Sequence, residues 1–374
     1  MGNFPHICFV APEAYPELTG DTSLKMVGGA QVQQCIIARA LAKRGYKVSM
    51  ICLDFGQPDD LIVDGIRVIK AFKQNAGIPV IRFLYPRMTT YWKSMKIANA
   101  DIYYQRTSSF LTGLVSFFCR QTGKKMIFSV ANDNDLIPGQ QYIKYKRDKL
   151  IFEWGLNHAD AVIVQSKRQK ELSKQNYNID STFIRSCCEA ASNKTGVDKQ
   201  VDVLWVSTIR TFKKPEIFIE LAQRMPEFRF RMIGGPENNN GDPFYGKIKE
   251  KADQLPNLEF IGFVPYAEID KHFDAARLFV NTSEFEGFPN TFLQSWIRGI
   301  PTLSFFDPEA VLEGQQVNLV VKTIDELVLN IKELLGSSQK YVTLGKICKR
   351  YTEQFHSPEK IINEYSKIFA KLIR

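Results

Sequence analysis

The run Asn281-Thr282-Ser283-Glu284-Phe285-Glu286-Gly287-Phe288-Pro289-Asn290-Thr291-Phe292-Leu293-Gln294 is where side chains able to do chemistry are densest. A strand is expected to end at Asn281, and an acidic turn containing glycine and proline follows it. A helix then opens near Asn290-Thr291, where an Asn or Thr N-cap belongs. The backbone N–H groups and dipole at such a start favour an anion, typically phosphate. Gly287, Phe288, Asn290 and Thr291 are the candidate contacts, because Pro289 has no N–H to offer. Glu286 can accept hydrogen bonds from a neutral polyol. Gln294, on the first turns of the helix, can reach a second pair of hydroxyls. The same string also describes an ordinary strand-to-helix turn with a capped helix.

The elements that must position this turn alternate along the chain. An apolar run from His6 to Ala11 reads as a buried parallel strand. A loop ending in Val27-Gly28-Gly29-Ala30 leads into a helical pattern from Gln31 to Arg44, stopped by Gly45. Lys47 to Leu53 is the next strand, which completes the unit of a doubly wound sheet. Strands at Ile102–Tyr104, Lys125–Val130 and Ala161–Val164 continue the pattern, with helices at Leu111–Arg120 and Phe152–His158 between them. The segment Ala190–Gln200 is small, polar and charged, as a domain linker should be. Beyond it come strands at Val201–Val206, Phe228–Gly235, Leu258–Phe263, Leu278–Asn281 and Thr302–Phe305. Helices at Glu216–Gln223, Tyr245–Gln254, Ala267–Ala276 and Thr291–Arg298 alternate with them. The expected organisation is an α/β chain with domains at 1–190 and 200–357. A last helix, within 358–374, follows the second domain.

Size and composition agree with this plan. A chain of 374 residues suits two domains, and 44% apolar residues allow each its own core. No apolar run is long enough to span a bilayer. The N-terminus lacks the basic region of a signal peptide. Seven cysteines, odd in number and without framework spacing, fit a reducing, cytoplasmic compartment. Cys187-Cys188 is too close for a metal clip. Asp133-Asn134-Asp135 is the one Asp-x-Asp at the end of an expected strand, a pair that could bind a divalent ion.

The net charge of +9 is uneven. Residues 1–190 hold 25 Lys/Arg against 16 Asp/Glu, whereas residues 191–374 hold 24 of each. A basic first half suits an anionic surface or a phosphorylated partner, and equally an ordinary solvated face. Nucleic acid is not expected, since half the chain is neutral and no recognition motif is present. Two stretches mix basic and aromatic residues, Tyr85–Lys93 and Gln141–Arg147, and suit the anionic inner face of a membrane.

With these motifs in hand, the chain resembles glycosyltransferase family 4 of the GT-B fold, over nearly its whole length. The family signature is a Glu, seven residues, then a second Glu. Glu286 matches the first and Gln294 occupies the second, where an amide can still bond a ribose diol. Gly28-Gly29-Ala30-Gln31 resembles the family's first glycine loop. Trp205 to Glu216 resembles its Gly-Arg…Lys segment, with Lys213 on the lysine. The family's Arg position is Thr208, and Arg210 is the candidate substitute. Gly234, Phe263 and Val264 resemble the edges of the base pocket.

The resemblance implies two Rossmann-like domains facing across a cleft, with the last helix crossing back to the first. It implies transfer of a sugar from a nucleotide-diphosphate donor, with retention and without a metal or other cofactor, to a glycan or lipid-linked acceptor in polysaccharide synthesis. Lys213 and Arg210 then stabilise the leaving diphosphate and Glu286 orients the sugar. Many members carry a His after a first-domain strand, and here that stretch is Ser129 to Asp135. Asn132, Asp133 and Arg106 are the acceptor-side candidates. The missing His, together with Gln294 and Thr208, also suits a non-catalytic scaffold that binds sugar nucleotides or glycans.

Overall fold

Short apolar runs with no polar alternation demand burial on both faces, and a parallel sheet covered by helices provides it. The computed structural model describes residues 4–24, 28–78, 81–191, 198–237, 241–284 and 286–373. They fall into two units, Met1–Cys187 with Pro358–Arg374, and Cys188–Ser357. The division comes shortly before the polar segment Ala190–Gln200, whose residues 192–197 lie outside those described.

In the first unit the strands are β1 (Ile7–Val10), β2 (Val48–Cys52), β3 (Ile62–Val63), β4 (Ile66–Lys70), β5 (Ile102–Arg106), β6 (Lys125–Ser129), β7 (Ala161–Val164) and β8 (Thr182–Phe183). Their order is β3-β4-β2-β1-β5-β6-β7-β8. All neighbours pair in parallel except β3 with β4. Every residue of β1, β2 and β5 is buried. The β3–β4 hairpin was not expected from the sequence, although Asp64-Gly65, both at positive φ, is a strong two-residue turn signal. Among the parallel strands the order reverses once, between β1 and β5.

The helix Pro358–Ile373 belongs to this unit. Ile361, Ile362, Tyr365, Ile368 and Phe369 form its buried stripe at helical spacing. It packs on the helix Gly29–Lys43. Tyr46 and Ser366 share a hydrogen bond of 2.8 Å, and Tyr104 and Tyr365 one of 3.2 Å.

The second unit holds β9 (Val201–Val206), β10 (Phe230–Ile233), β11 (Leu258–Gly262), β12 (Ala276–Asn281), β13 (Thr302–Ser304), β14 (Val311–Leu312), β15 (Gln315–Gln316) and β16 (Leu319–Val320). Six of these form a parallel sheet in the order β11-β10-β9-β12-β13-β16, while β14 and β15 make a separate hairpin. The single reversal lies between β9 and β12. Beyond β10, Gly234 passes so close to β9 that a Cβ there would stand 1.9 Å from the Ser207 carbonyl oxygen, so only glycine fits. The helices Ile324–Gly336 and Ser338–His356 close this unit and are additional to the expected elements. All seven cysteines are buried, as reduced thiols.

His6, just before β1, is buried with Nε2 2.8 Å from the Ser49 hydroxyl. Burial, and then the charge of Lys47, push its pKa down to about 4, with Asp101 opposing. The unfolded chain therefore binds a proton that the folded chain refuses, and stability falls as pH drops from 6.5 towards 4. Urea titrations across that range should show the loss. His6→Gln, which keeps the bond to Ser49, should flatten it.

Candidate functional site

At a reversal of strand order the two flanking connections leave the sheet in opposite directions, and a crevice opens outside the carboxyl ends of the strands. In the second unit these connections are the turn after β9 and the turn after β12. The first runs through Ser207 and Arg210 into a single 3₁₀ turn, Thr211–Lys213, and then the helix Pro215–Arg224. The second runs from Thr282 to Pro289 and enters the helix Asn290–Trp296. Lys213 and Glu286, 73 residues apart, meet there as an ion pair through Nζ and Oε1. Each side chain is only 14% exposed.

Both partners are held in place by residues of β9, the end of β12 and the turn after it. The indole N–H of Trp205, on β9, donates to the Thr282 hydroxyl at 2.9 Å. That hydroxyl donates in turn to the Lys213 carbonyl at 2.7 Å. The Ser283 hydroxyl donates to Glu286 Oε1 at 2.8 Å, and the Asn281 amide reaches the same oxygen at 3.5 Å. Asn281 Oδ1 also accepts the Ser283 N–H at 2.8 Å. Glu284 ties the two turns together, its N–H bonding the Phe212 carbonyl at 3.0 Å and its carboxylate pairing with Lys214 at 2.8 Å. The Asn-Thr-Ser string at a strand end was visible in the sequence. Its partners lie on β9 and the turn beyond it, which no spacing along the chain reveals.

The expected capping is corrected. The helix starts at Asn290 with Pro289 as N-cap, no side chain caps it, and it spans seven residues. Neither Asn290 nor Thr291 is the cap, because the fixed φ of Pro289 already directs the chain into the helix. So short a helix offers a weak dipole, and positive charge at this site rests mainly on Lys213. Gln294 lies one turn in and is 7% exposed, and its Nε2 has no partner among the described residues. Phe288 stacks on His356 at 5.1 Å, which assigns its ring to packing. Gly287 lies between Glu286 and that ring, and Phe285 is outside the described residues. Arg210 turns towards Glu237, at 3.5 Å, rather than towards Glu286. The Phe263 ring packs on Gly235, beside Gly234, and Val264 joins the apolar cluster below.

The first-unit candidates are spread over three turns. Gly28 is the extended N-cap of the helix Gly29–Lys43, and a Cβ there would meet only the movable Gln31 amide. Val27, in the same loop, lies outside the described residues. Arg106 ends β5. Asn132 caps the turn Asp133–Leu136, accepting the Asn134 N–H at 2.9 Å. Asp133 pairs with Arg168 at 3.0 Å, and burial raises its pKa against the pull of Gln169 and Arg168. The Asp135 carboxylate accepts the N–H groups of Ala131 and Asn132 at 2.8 and 3.2 Å. The two acids thus serve separate local partners. Of the two basic and aromatic stretches, the second reaches the residues just before the first: Arg147 lies over the Phe83 ring at 3.4 Å, and Tyr85, Tyr142 and Tyr145 within the stretches are exposed. Tyr91 and Gln141, also in these stretches, are buried instead.

Two doubly wound sheets, each with a single order reversal among its parallel strands, define a GT-B glycosyltransferase fold. Sucrose-phosphate synthase of Thermosynechococcus elongatus shares it at a TM-score of 0.78 and 17% identity, over 99% of both chains. The Anabaena protein HepE in complex with UDP and glucose matches at 0.75 and 15%, over 98% of this chain and 99% of its own. The family model for Glycosyltransferase Family 4 matches residues 27–186, and that for Glycosyl transferases group 1 matches residues 200–337. The chain belongs to this family of glycosyltransferases. Alpha-monoglucosyldiacylglycerol synthase of Acholeplasma laidlawii is 24% identical over 259 residues, which are 66% of this chain and 61% of that protein. An uncharacterized glycosyltransferase of Haemophilus influenzae is 17% identical over 91% of this chain and 96% of its own length.

The Lys213–Glu286 pair carries a stability prediction. Removing either partner leaves a poorly solvated charge uncompensated, while removing both does not. Urea unfolding of Lys213→Met, Glu286→Gln and the double variant should give a coupling of about 0.5–3 kcal/mol. Additive effects would show that the pair is not formed in solution.

Proposed function

We propose that this protein transfers a sugar from a nucleotide-diphosphate donor to a glycan or lipid-linked acceptor, with retention of anomeric configuration and without a metal. The observation that carries the reading is the meeting of Lys213 and Glu286 at the second sheet's order reversal. A cation and a carboxylate in contact there suit the two ends of one donor. The ammonium faces the diphosphate, whose charge grows as the bond to the sugar breaks, and the carboxylate accepts hydrogen bonds from the sugar hydroxyls. Donor binding exchanges one set of partners for another, so neither charge is left bare. The buried, unpartnered amide of Gln294 supports a contact to the ribose diol. HepE, with UDP and glucose bound, supports a uridine donor by analogy. Arg210 has room to leave Glu237, since its side chain is 40% exposed. In this reading the leaving phosphate takes the proton from the incoming hydroxyl, and Lys213 supplies the charge that a metal would otherwise provide.

The name of the Acholeplasma relative, a synthase of a glucosylated diacylglycerol, supports a lipid-linked acceptor. The contact of Arg147 with Phe83, together with the exposed Tyr142 and Tyr145, supports peripheral contact with an anionic membrane on its cytoplasmic side. No helix among the described residues is long and apolar enough to cross a membrane.

Thermal melts with UDP, GDP, ADP and CDP should pick out one nucleotide. Glu286→Ala should still bind it yet lose roughly 10²-fold in turnover of the matching sugar nucleotide. Unchanged turnover would remove Glu286 from the site, and no nucleotide response at millimolar concentration would favour a glycan-binding scaffold. A chelator should leave the rate unaltered. Lys144→Glu with Lys146→Glu should weaken sedimentation with phosphatidylglycerol vesicles but not with phosphatidylcholine vesicles.

A further inference from the structure

The parallel strands of the first sheet also reverse their order once, between β1 and β5, and Arg106 stands at the carboxyl end of β5. It is 7% exposed. One guanidinium N–H, on Nη1, donates to the Ser129 hydroxyl at 3.0 Å, while Nε is buried and meets no hydrogen-bond partner among the described residues. No acid among those residues pairs with it. An arginine cannot shed its charge. A buried charge without a partner costs several kcal/mol in general and persists where function needs it. The phenol of Tyr365 feels the Arg106 charge, but burial and the Tyr104 phenol hold it protonated, so it supplies no counter-charge.

The turn after Arg106 is strained and then locked. Thr107 has φ of +75°, a conformation that a β-branched residue adopts at a cost. The Gln105 side-chain amide donates to the carbonyls of Arg106 and Thr107 at 2.9 and 2.8 Å, and its own oxygen accepts the Thr112 hydroxyl at 2.9 Å. The 13-residue helix Phe110–Thr122 begins just beyond, capped by Ser109. A strained turn fixed from several sides, a helix start and a buried, uncompensated guanidinium coincide at the position where a doubly wound sheet takes its ligand.

We infer that Arg106 binds an oxyanion, a phosphate or carboxylate, carried by the acceptor. The planar fork of the guanidinium suits two oxygens of such a group. The assignment to the acceptor rests on the proposed transferase reading, in which the second sheet's reversal takes the donor.

Thermal melts of the full chain test it, with inorganic phosphate and with UDP as probes. In phosphate-free buffer Arg106→Gln should melt about 2–4 °C above the wild type, because an uncompensated buried charge has gone. Millimolar phosphate should raise the melting temperature of the wild type and of Lys213→Ala, but not of Arg106→Gln. Arg106→Lys, which keeps the charge but not the fork, should gain no stability and show a weakened phosphate response. Arg106→Gln should respond to UDP as the wild type does. A lower melting point for Arg106→Gln, or a phosphate response equal to that of the wild type, would make Arg106 a structural residue and overturn the proposal. Loss of the UDP response in Arg106→Gln would assign the anion to the donor and overturn it as well. UDP failing on every protein would count against the transferase reading alone, and the phosphate comparison would still decide on Arg106.

Discussion

The parallel strands of each sheet reverse their order once, and the side chains gathered at both carboxyl edges depend on that constraint. Right-handed crossovers put successive helices on one face of a parallel sheet until the order turns back, and then on the other. At the turning point two neighbouring strands send their connections apart, so the carboxyl edge stays open only there. In the second unit the strands are β9 and β12, and the open edge collects Lys213 and Glu286. In the first they are β1 and β5, and it collects Arg106.

What each edge does with its charge differs. Lys213 and Glu286 neutralise one another, and their surroundings hold them ready: Trp205 and Thr282 fix the backbone of the lysine, and Ser283 and Asn281 fix the carboxylate. Such a pair gives up little on receiving a ligand with one anionic end and one polyol end, because each charge trades one partner for another. Arg106 has no internal partner of opposite charge among the described residues. The Ser129 hydroxyl and the Tyr365 phenol beside it are neutral, and the strained Thr107 follows it in the chain. In the proposed anion-binding role of Arg106, such an arrangement sacrifices stability in the free protein for affinity towards the anion.

Much of the fold was legible in the sequence. The strand β1 is an unbroken apolar run and β2, β6, β9, β10 and β12 are apolar runs with one or two polar residues each, and a chain with such runs separated by amphipathic helices has few alternatives to a parallel sheet. The last helix announced itself through the stripe from Ile361 to Phe369. Elements without a strong apolar period leave little trace in the sequence, among them β3, the polar helix Lys167–Tyr177 and the helix Ser338–His356. Their placement comes from what they pack against. Part of the site was legible too. Glu286, Gln294 and Lys213 stood out because their family resemblance is local and follows the chain.

The sequence by itself determined the class of fold, the order of its elements and the turns that carry the reactive side chains, because periodicity and turn chemistry act between residues close in the chain. It could not determine partners. That Glu286 faces Lys213, that Thr282 rather than an Asn290 cap braces the site, and that Arg210 turns to Glu237 follow from the lateral order of strands. That order is set by packing and handedness across the whole unit, and it brings together residues whose separation along the chain carries no trace of their contact. The same holds for Arg106. A cation at a strand end is unremarkable in a sequence, and only burial among neutral groups turns it into an unmet electrostatic demand.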